Sequence, residues 1–343
     1  MGARQRLKGS ILFNQFVGLA ANTAVEVLFF LAGFTQAISF LQSCNSVPTF
    51  LHVLSHSLKR LAKLEFFYAI NLSAIVYIFR DFGDGPTWYF FDKVMAPCDK
   101  GIWQNLAFVS NLVNNFGSKV DMCLPWTWFL AVYIQLSLLT PILVYLMTLI
   151  FFLAYPMIVI LGLIAIATQG IQVWVLNCGV SSSYDETYWS NVYTKPWNHF
   201  TVFICLGMIF GMFYNSYIEK RQRIDQGDRH ENSLTYTMLK YVKKKIIIRV
   251  FMNVIGLIGL FGTNILAWHQ LENGWSISAR VVFAALKTTV RICGFMLILL
   301  PLMLSKSKFL RYFLKIKWLH ILSQLSFGIY IWYPMVCLAL YFN

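Results

Sequence analysis

Long uncharged stretches dominate the chain and set its architecture. Apolar positions run continuously over roughly 21–41, 64–79, 126–145, 156–176, 200–217, 246–268, 281–304 and 322–342, without the alternation of a half-buried strand. Most of these runs approach the about 20 residues that a helix needs to cross a bilayer core. A transmembrane barrel would show short alternating segments instead. The pattern predicts an all-α protein, a polytopic transmembrane helical bundle of about eight spans, in a single membrane domain covering 1–343. The second span is short and would need snorkelling flanks. From Met122 to Tyr184 there is no Asp, Glu, Lys, Arg or His, and those 63 residues hold two spans and a tight turn, with Pro156 as the turn residue.

Charge refines this picture. Only 12% of residues are charged, against about 25% in a soluble domain, and 58% are hydrophobic. The net charge of +14 falls mostly in short connections. Lys59, Arg60 and Lys63 precede the second span, the basic hydrophilic loop 219–245 joins the fifth to the sixth, and Lys306, Lys308, Arg311, Lys315 and Lys317 precede the eighth. Simple alternation puts these on one side, as the positive-inside rule requires, and puts the more acidic extramembrane loop 80–125 on the other. Arg4, Arg6 and Lys8 mildly violate the rule. No folded basic module is present, so nucleic acid is excluded as a partner. The segment 219–245 reads first as a solvated connector that sets topology, and second as a partner or anionic-lipid site.

A few residues carry candidate chemistry. Glu26, in "VEVLFFLAGF", lies near the start of the first span with no adjacent cation. An ionisable residue inside a span is functional by default, because burying its charge costs at least about 2.5 kcal/mol. A structural hydrogen-bonding role weighs equally. Lys287 and Arg291 stand four apart in the seventh span, and Arg249 sits in the sixth. Such cations must face a polar cavity or snorkel, and Lys287 is a candidate partner for Glu26 or for an anionic headgroup. His52 and His56 are four apart, half of a metal site, but no acid or thiol cluster lies near them in sequence, and no metal is expected. Cys98 and Cys123 bracket one extramembrane loop and are a disulfide candidate in an oxidising compartment. Gly-rich phosphate loops, GxSxG, HExxH and CxxC are all missing, so hydrolase, kinase and zinc-enzyme readings have no local support.

Several stretches together resemble the acyltransferase-type-3 membrane proteins, in particular their nose-resistant-to-fluoxetine-like branch. "VEVLFFLAGF" resembles an acidic V-D-x-F-F segment, and "KRLAKL" at 59–64 resembles R-x-x-R-L. "GDGPTW" at 83–88, Cys98, "WQNLAFVSN" at 103–111 and "CLPWTWFLAVYIQ" at 123–135 resemble the run that follows. "YTKPW" at 193–197 with Gly207 and Gly211, and "LSQLSFGIYIWYPMV" at 322–336, complete an ordered set from 25 to 336. The resemblance implies a helical bundle that moves acyl groups onto hydroxyls, with a His as general base and arginines on an anionic acyl donor. That division of labour suits the chemistry.

The departures from the pattern change the expectation. The family's additional first span, with its key His, has no counterpart in residues 1–17. Glu26 replaces an Asp, Lys63 an Arg, Tyr133 an Asp, His199 an Arg and Tyr333 a His. Lysine keeps the charge at 63 but loses the guanidinium fork. No catalytic set is complete, and Glu26 and His199 remain the candidates. The expected ligand- or lipid-binding cations are Lys59, Arg60, Lys63, Lys287 and Arg291. The leading expectation is a non-catalytic, pseudoenzyme-like membrane protein. It would serve as a structural or lipid-binding supernumerary subunit of a larger membrane complex, with a mitochondrial respiratory assembly as one candidate. Its partners would be membrane lipids and other membrane subunits, with no cofactor. An active O-acyltransferase using acyl-CoA, and a lipid or small-molecule transporter, are the alternatives.

Overall fold

The computed structural model describes residues 3–43, 49–81, 83, 88–113, 122–182, 185–226, 234–304 and 316–342. Regular structure among them is helical throughout. Seven helices are long and apolar enough to cross a membrane, or eight if a bent final pair counts as one span. The chain is an integral membrane protein. The cations at 306–315 and the central residues of "GDGPTW", 84–87, lie outside the described residues.

The chain packs as two compact units, 1–53 with 135–305 and 54–134 with 306–343. The first unit contains α1 (Ala3–Ser43), most of α6 (Trp128–Leu149), α7 (Phe151–Leu176) and the short α8 (Glu186–Tyr188). After these come α9 (Pro196–Phe200), which widens into a π-helical stretch at Thr201–Met208 and continues as α10 (Ile209–Asp225). The unit ends with α11 (Leu234–Lys244), α12 (Ile246–Asn273) and α13 (Ile277–Leu304). In the second unit lie most of α2 (Phe50–Ser73), α3 (Trp88–Met95), α4 (Cys98–Leu106), α5 (Ser110–Val113) and α14 (Lys317–Phe342).

Three expectations need correction. The turn in the uncharged 122–184 run falls at Ile150, with φ −129° and ψ 62°, and Pro156 sits inside α7. Pro156 lies in the second turn of α7, past the first-turn positions where proline costs nothing, so it forgoes a helix bond to Phe152 O without ending the helix. The second span is not short: helix continues from Phe50 to Asp81, 32 residues, because its amphipathic first turns extend the apolar run backwards. The 219–245 segment is largely helical rather than a simple connector, since α10 runs to Asp225 and α11 fills 234–244.

In the first unit, α1 packs against the 201–225 helix, α12 and α13, and α13 also packs on α7. Lipid tails supply no hydrophobic force between helices, so close approach of backbones must do the work. Gly207 and Gly211 lie one turn apart, where a Cβ would come within 2.6 Å of Phe30 O and 2.7 Å of Phe34 O. Both carbonyls belong to α1, so α1 runs directly over the glycine face. A second such crossing joins α12 to α13, where a Cβ on Gly294 would lie 2.7 Å from Gly256 O. By contrast the outer faces of α7 and α12 expose Phe152, Leu163, Ile247, Phe251 and Ile258, as a lipid-facing surface requires.

The α1 crossing yields a test. Gly211→Leu forces a side chain into α1 and is expected to destabilise by about 1–3 kcal/mol, read as a lower apparent melting temperature in detergent. Gly262→Leu, at a position with nothing within 4 Å of its Cβ, is expected to leave that temperature unchanged.

Candidate functional site

Each unit carries its own polar centre. In the first, Glu26 projects from α1 and is 1% exposed. Its Oε2 meets Arg291 Nη1 at 2.7 Å, and its Oε1 accepts from Thr288 Oγ1 at 3.1 Å. Arg291, 3% exposed, donates through Nε to Thr263 Oγ1 and through Nη2 to Asn264 Oδ1, both at 3.1 Å. Asn264 Nδ2 in turn donates to Thr23 Oγ1 at 3.0 Å. Thr23 stands close to one turn before Glu26, so the circuit returns to α1. Arginine suits this position because its planar fork reaches three partners on two helices at once.

Lys287 does not pair with Glu26. One turn before Arg291 on the same face of α13, its ammonium donates to Val180 O and sits 4.5 Å from the centroid of the Tyr188 ring. Farther along the face, Arg280 Nη1 donates to Cys178 O at 2.9 Å and its Nη2 to Asn177 Oδ1 at 2.8 Å. Positions 280, 287, 288 and 291 therefore form one stripe that ties the segment after α7 to α13 and α13 to α1. Asp185 closes the segment from inside, accepting from Gly179 N and from Tyr188 N. Burial pushes the Tyr188 and Tyr193 phenols above their ordinary range and the Cys178 thiol, buried near Asp185, up to about 11. Burial also lowers the Lys195 ammonium. A thiol so raised is a poor nucleophile at neutral pH.

His199 is 2% exposed. Its Nε2 lies 2.6 Å from Tyr193 O, and its ring packs against Phe29 with centroids 4.5 Å apart and edge-on to Tyr193. The ring thus wedges α9 against α1.

In the second unit, Arg60, Lys63, Leu64, Phe67 and Asn71 of α2 line a cavity of about 520 Å³ with Tyr133, Leu325, Phe327 and Gly328. Arg60 donates to the Tyr133 hydroxyl and lies 5.7 Å from that ring's centroid. Asn71 accepts from Trp332 Nε1 at 2.6 Å, which joins α2 to α14. Among the described residues lining this cavity there is no carboxylate and no histidine. Lys59 is exposed on α2, and Tyr333 is exposed on α14. Within the 80–125 segment, the described residues include the short helices α3, α4 and α5, and the structure joins Cys98 to Cys123. Asn105 donates to Cys123 O at 2.7 Å, and Arg80 bridges Asp92 at 2.9 Å and Asp99 at 2.8 Å.

The five expected cations thus divide between the units. Lys287 and Arg291 are spent on the first unit's internal bonds, whereas Arg60 and Lys63 line a cavity. Arg249, near the start of α12, has a buried Nε with no hydrogen-bond partner among the described residues. His52 lies in the first unit, 3.4 Å from Ser43 Oγ. Sequence reasoning passed over Thr263, Asn264 and Thr288, whose uncharged side chains gave no signal in an apolar run. It also missed Glu65, which lies inside the Phe50–Asp81 span with Oε2 buried and no hydrogen-bond partner among the described residues. The rule applied to Glu26 would have found it.

A polytopic helical membrane protein with a cationic cavity between apolar helices is the class these features define. A family model described as an acyltransferase domain, type 3, matches residues 5–342, and the chain belongs to that family. A relative from Caenorhabditis elegans, Nose resistant to fluoxetine protein 6, is 27% identical over 237 residues, 62% of this chain. The match spans 28% of that relative's length. No solved structure matches the chain.

The ion pair carries a stability prediction. Arg291→Leu strands the Glu26 carboxylate and is expected to cost about 3–5 kcal/mol, a fall on the order of 10 °C in apparent melting temperature. The double variant Glu26→Leu/Arg291→Leu should recover much of that loss, because it buries no lone charge. A double variant as unstable as Arg291→Leu would show that the pair itself is not what matters.

Proposed function

We propose that this chain is a non-catalytic acyltransferase-type-3 bundle that holds an anionic lipid or acyl compound in the second unit's cavity. The observation that carries this reading is the lining of that cavity. Arg60 and Lys63 face apolar Leu64, Phe67, Leu325 and Phe327, which suits a molecule with an anionic head and a hydrocarbon tail. Arg60 donates to the Tyr133 hydroxyl, and no carboxylate is among the described lining residues to neutralise the two cations. The catalytic side is not furnished in the same way. Neither Glu26 nor His199 lines the cavity, and both are engaged in bonds that hold helices together. A hydroxyl acceptor needs a base within hydrogen-bond reach, and the described lining includes no His, Asp or Glu.

Service as a subunit of a larger membrane assembly belongs to the same proposal. A mitochondrial inner-membrane complex is one setting, supported by the strongly basic balance of the chain. Active acyl transfer is the second reading, favoured by the retained Arg60 and by a cavity of the size usual for small-molecule sites.

The protein purified in detergent separates the two. A fluorescent anionic lysolipid is expected to bind, and Arg60→Gln/Lys63→Gln is expected to weaken that binding about tenfold, the loss of roughly 1.4 kcal/mol. Labelled acyl-CoA with a hydroxyl acceptor should give no product above a heat-denatured control. Turnover abolished by His199→Ala would overturn the non-catalytic reading. Unchanged lysolipid binding in the double variant would remove the cavity from it.

A further inference from the structure

The first unit carries a second cationic site, separate from the cavity lined by Arg60 and Lys63. The spans Pro196–Ile224 and Ile246–Gln270 are joined by the segment that contains α11. The end of one span and the start of the next must lie at the same membrane face, so α11 sits at that interface. Its apolar side is anchored: Leu239, 2% exposed, packs with Tyr217 of α10 and Leu304 of α13, and Val242 joins them. Lys240 and Lys244, four apart on the helix, are exposed. This is the form of an interfacial amphipathic helix, with its apolar face docked on span ends rather than on lipid tails.

Beside α11 lies a pocket of about 250 Å³, lined by Tyr214, Tyr217, Ile218, Arg221 and Gln222 of α10 and by Met303 and Leu304 of α13. The α10 residues fall at positions i, i+3, i+4, i+7 and i+8 and so share one face. Phenol, carboxamide and guanidinium form one wall, and Ile218, Met303 and Leu304 form an apolar floor. Residues 219–245 carry eight Lys and Arg against four Asp and Glu. One of those acids, Glu219, accepts from Asn215 Nδ2 at 2.7 Å. A cation and two phenols over aliphatic side chains at a membrane face match a phosphodiester headgroup whose first methylenes continue downward.

We propose that this pocket binds the headgroup of an anionic phospholipid, with Arg221 on the phosphate and the lysines of α11 supplying the attracting field. The reading stands apart from the proposed lipid-holding cavity of the second unit, and either can fail without the other.

Native mass spectrometry of the purified protein with dioctanoyl phosphatidylserine, dioctanoyl phosphatidylcholine or glycerophosphoserine tests it. Each cation near an anionic surface multiplies binding roughly fivefold. In an Arg60→Gln/Lys63→Gln background, phosphatidylserine should therefore bind at least fivefold better than phosphatidylcholine, and adding Arg221→Gln/Lys240→Gln/Lys244→Gln should abolish that preference. Tyr214→Phe, which removes one hydroxyl from the wall, should weaken phosphatidylserine binding while leaving the melting temperature unchanged. Arg60→Gln/Lys63→Gln should leave the preference intact. Equal binding of the two lipids in the Arg60→Gln/Lys63→Gln background, or a preference that survives the further triple substitution there, would overturn the proposal. So would a preference lost only in Arg60→Gln/Lys63→Gln. Glycerophosphoserine binding as tightly as its lipid would mean a soluble anion site, and would overturn it too.

Discussion

A charge cannot sit alone in hydrocarbon, and the first unit is organised around that constraint. Glu26 on α1 is acceptable at 1% exposure only because Arg291 comes to it from α13. Arg291 is acceptable because Thr263 and Asn264 of α12 take its remaining donors. Three spans are thereby fixed in register by one set of bonds, since sliding α1 or α13 by a turn would part the ions and sliding α12 would leave the other donors of Arg291 unmet. Two charges and their hydrogen-bonding neighbours specify an arrangement that apolar contact alone would leave degenerate. Removing both charges can therefore be mild for stability, whereas removing one is not.

Glycine and charge work together in this packing. Gly207 and Gly211 let α1 approach the π-widened helix closely enough for the His199 ring to wedge between Phe29 and Tyr193. The π-helical stretch at Thr201–Met208 shifts the phase of the helix face, which allows Thr201 Oγ1 to reach Gly162 O on α7 at 3.0 Å while Gly207 faces α1. The stripe on α13 follows the same logic at the membrane edge. Arg280 and Lys287 satisfy backbone carbonyls after α7 that no helix bond would otherwise take.

Much of this was legible in the residues. Continuous apolar runs near 20 residues identify spans without structure, and Glu26, Lys287 and Arg291 stand out because each is costly where it lies. The choice between Lys287 and Arg291 as partner was not legible, since both fall on one helical face and the decision rests on which turn of α13 meets α1. The neutral members of the network were invisible because Thr and Asn inside a span are common and cheap. The turn at Ile150 was missed because proline is a strong signal for a break, whereas Pro156 forgoes one bond without ending α7. The start of the second span was misplaced for a related reason: Lys59, Arg60 and Lys63 read as a connection, whereas their long aliphatic stems let α2 continue through them.

The two polar centres differ in what they leave over, and that difference bears on function. In the first unit the carboxylate and the guanidinium neutralise each other, and the neighbouring Lys287 ammonium is held by Val180 O and the Tyr188 ring. In the second, Arg60 faces a phenol and Lys63 lines the same cavity, with no acid among the described lining residues. The type 3 acyltransferase pattern places an Asp where this chain has Tyr133. Exchanging a carboxylate for a phenol beside Arg60 removes a counter-charge but keeps a hydrogen-bond partner that orients the guanidinium. The result is a cavity with more positive field and less acid–base capacity than the pattern provides. Cations over an apolar lining suit an anionic amphiphile, and it is on that match that the proposed lipid-holding role rests.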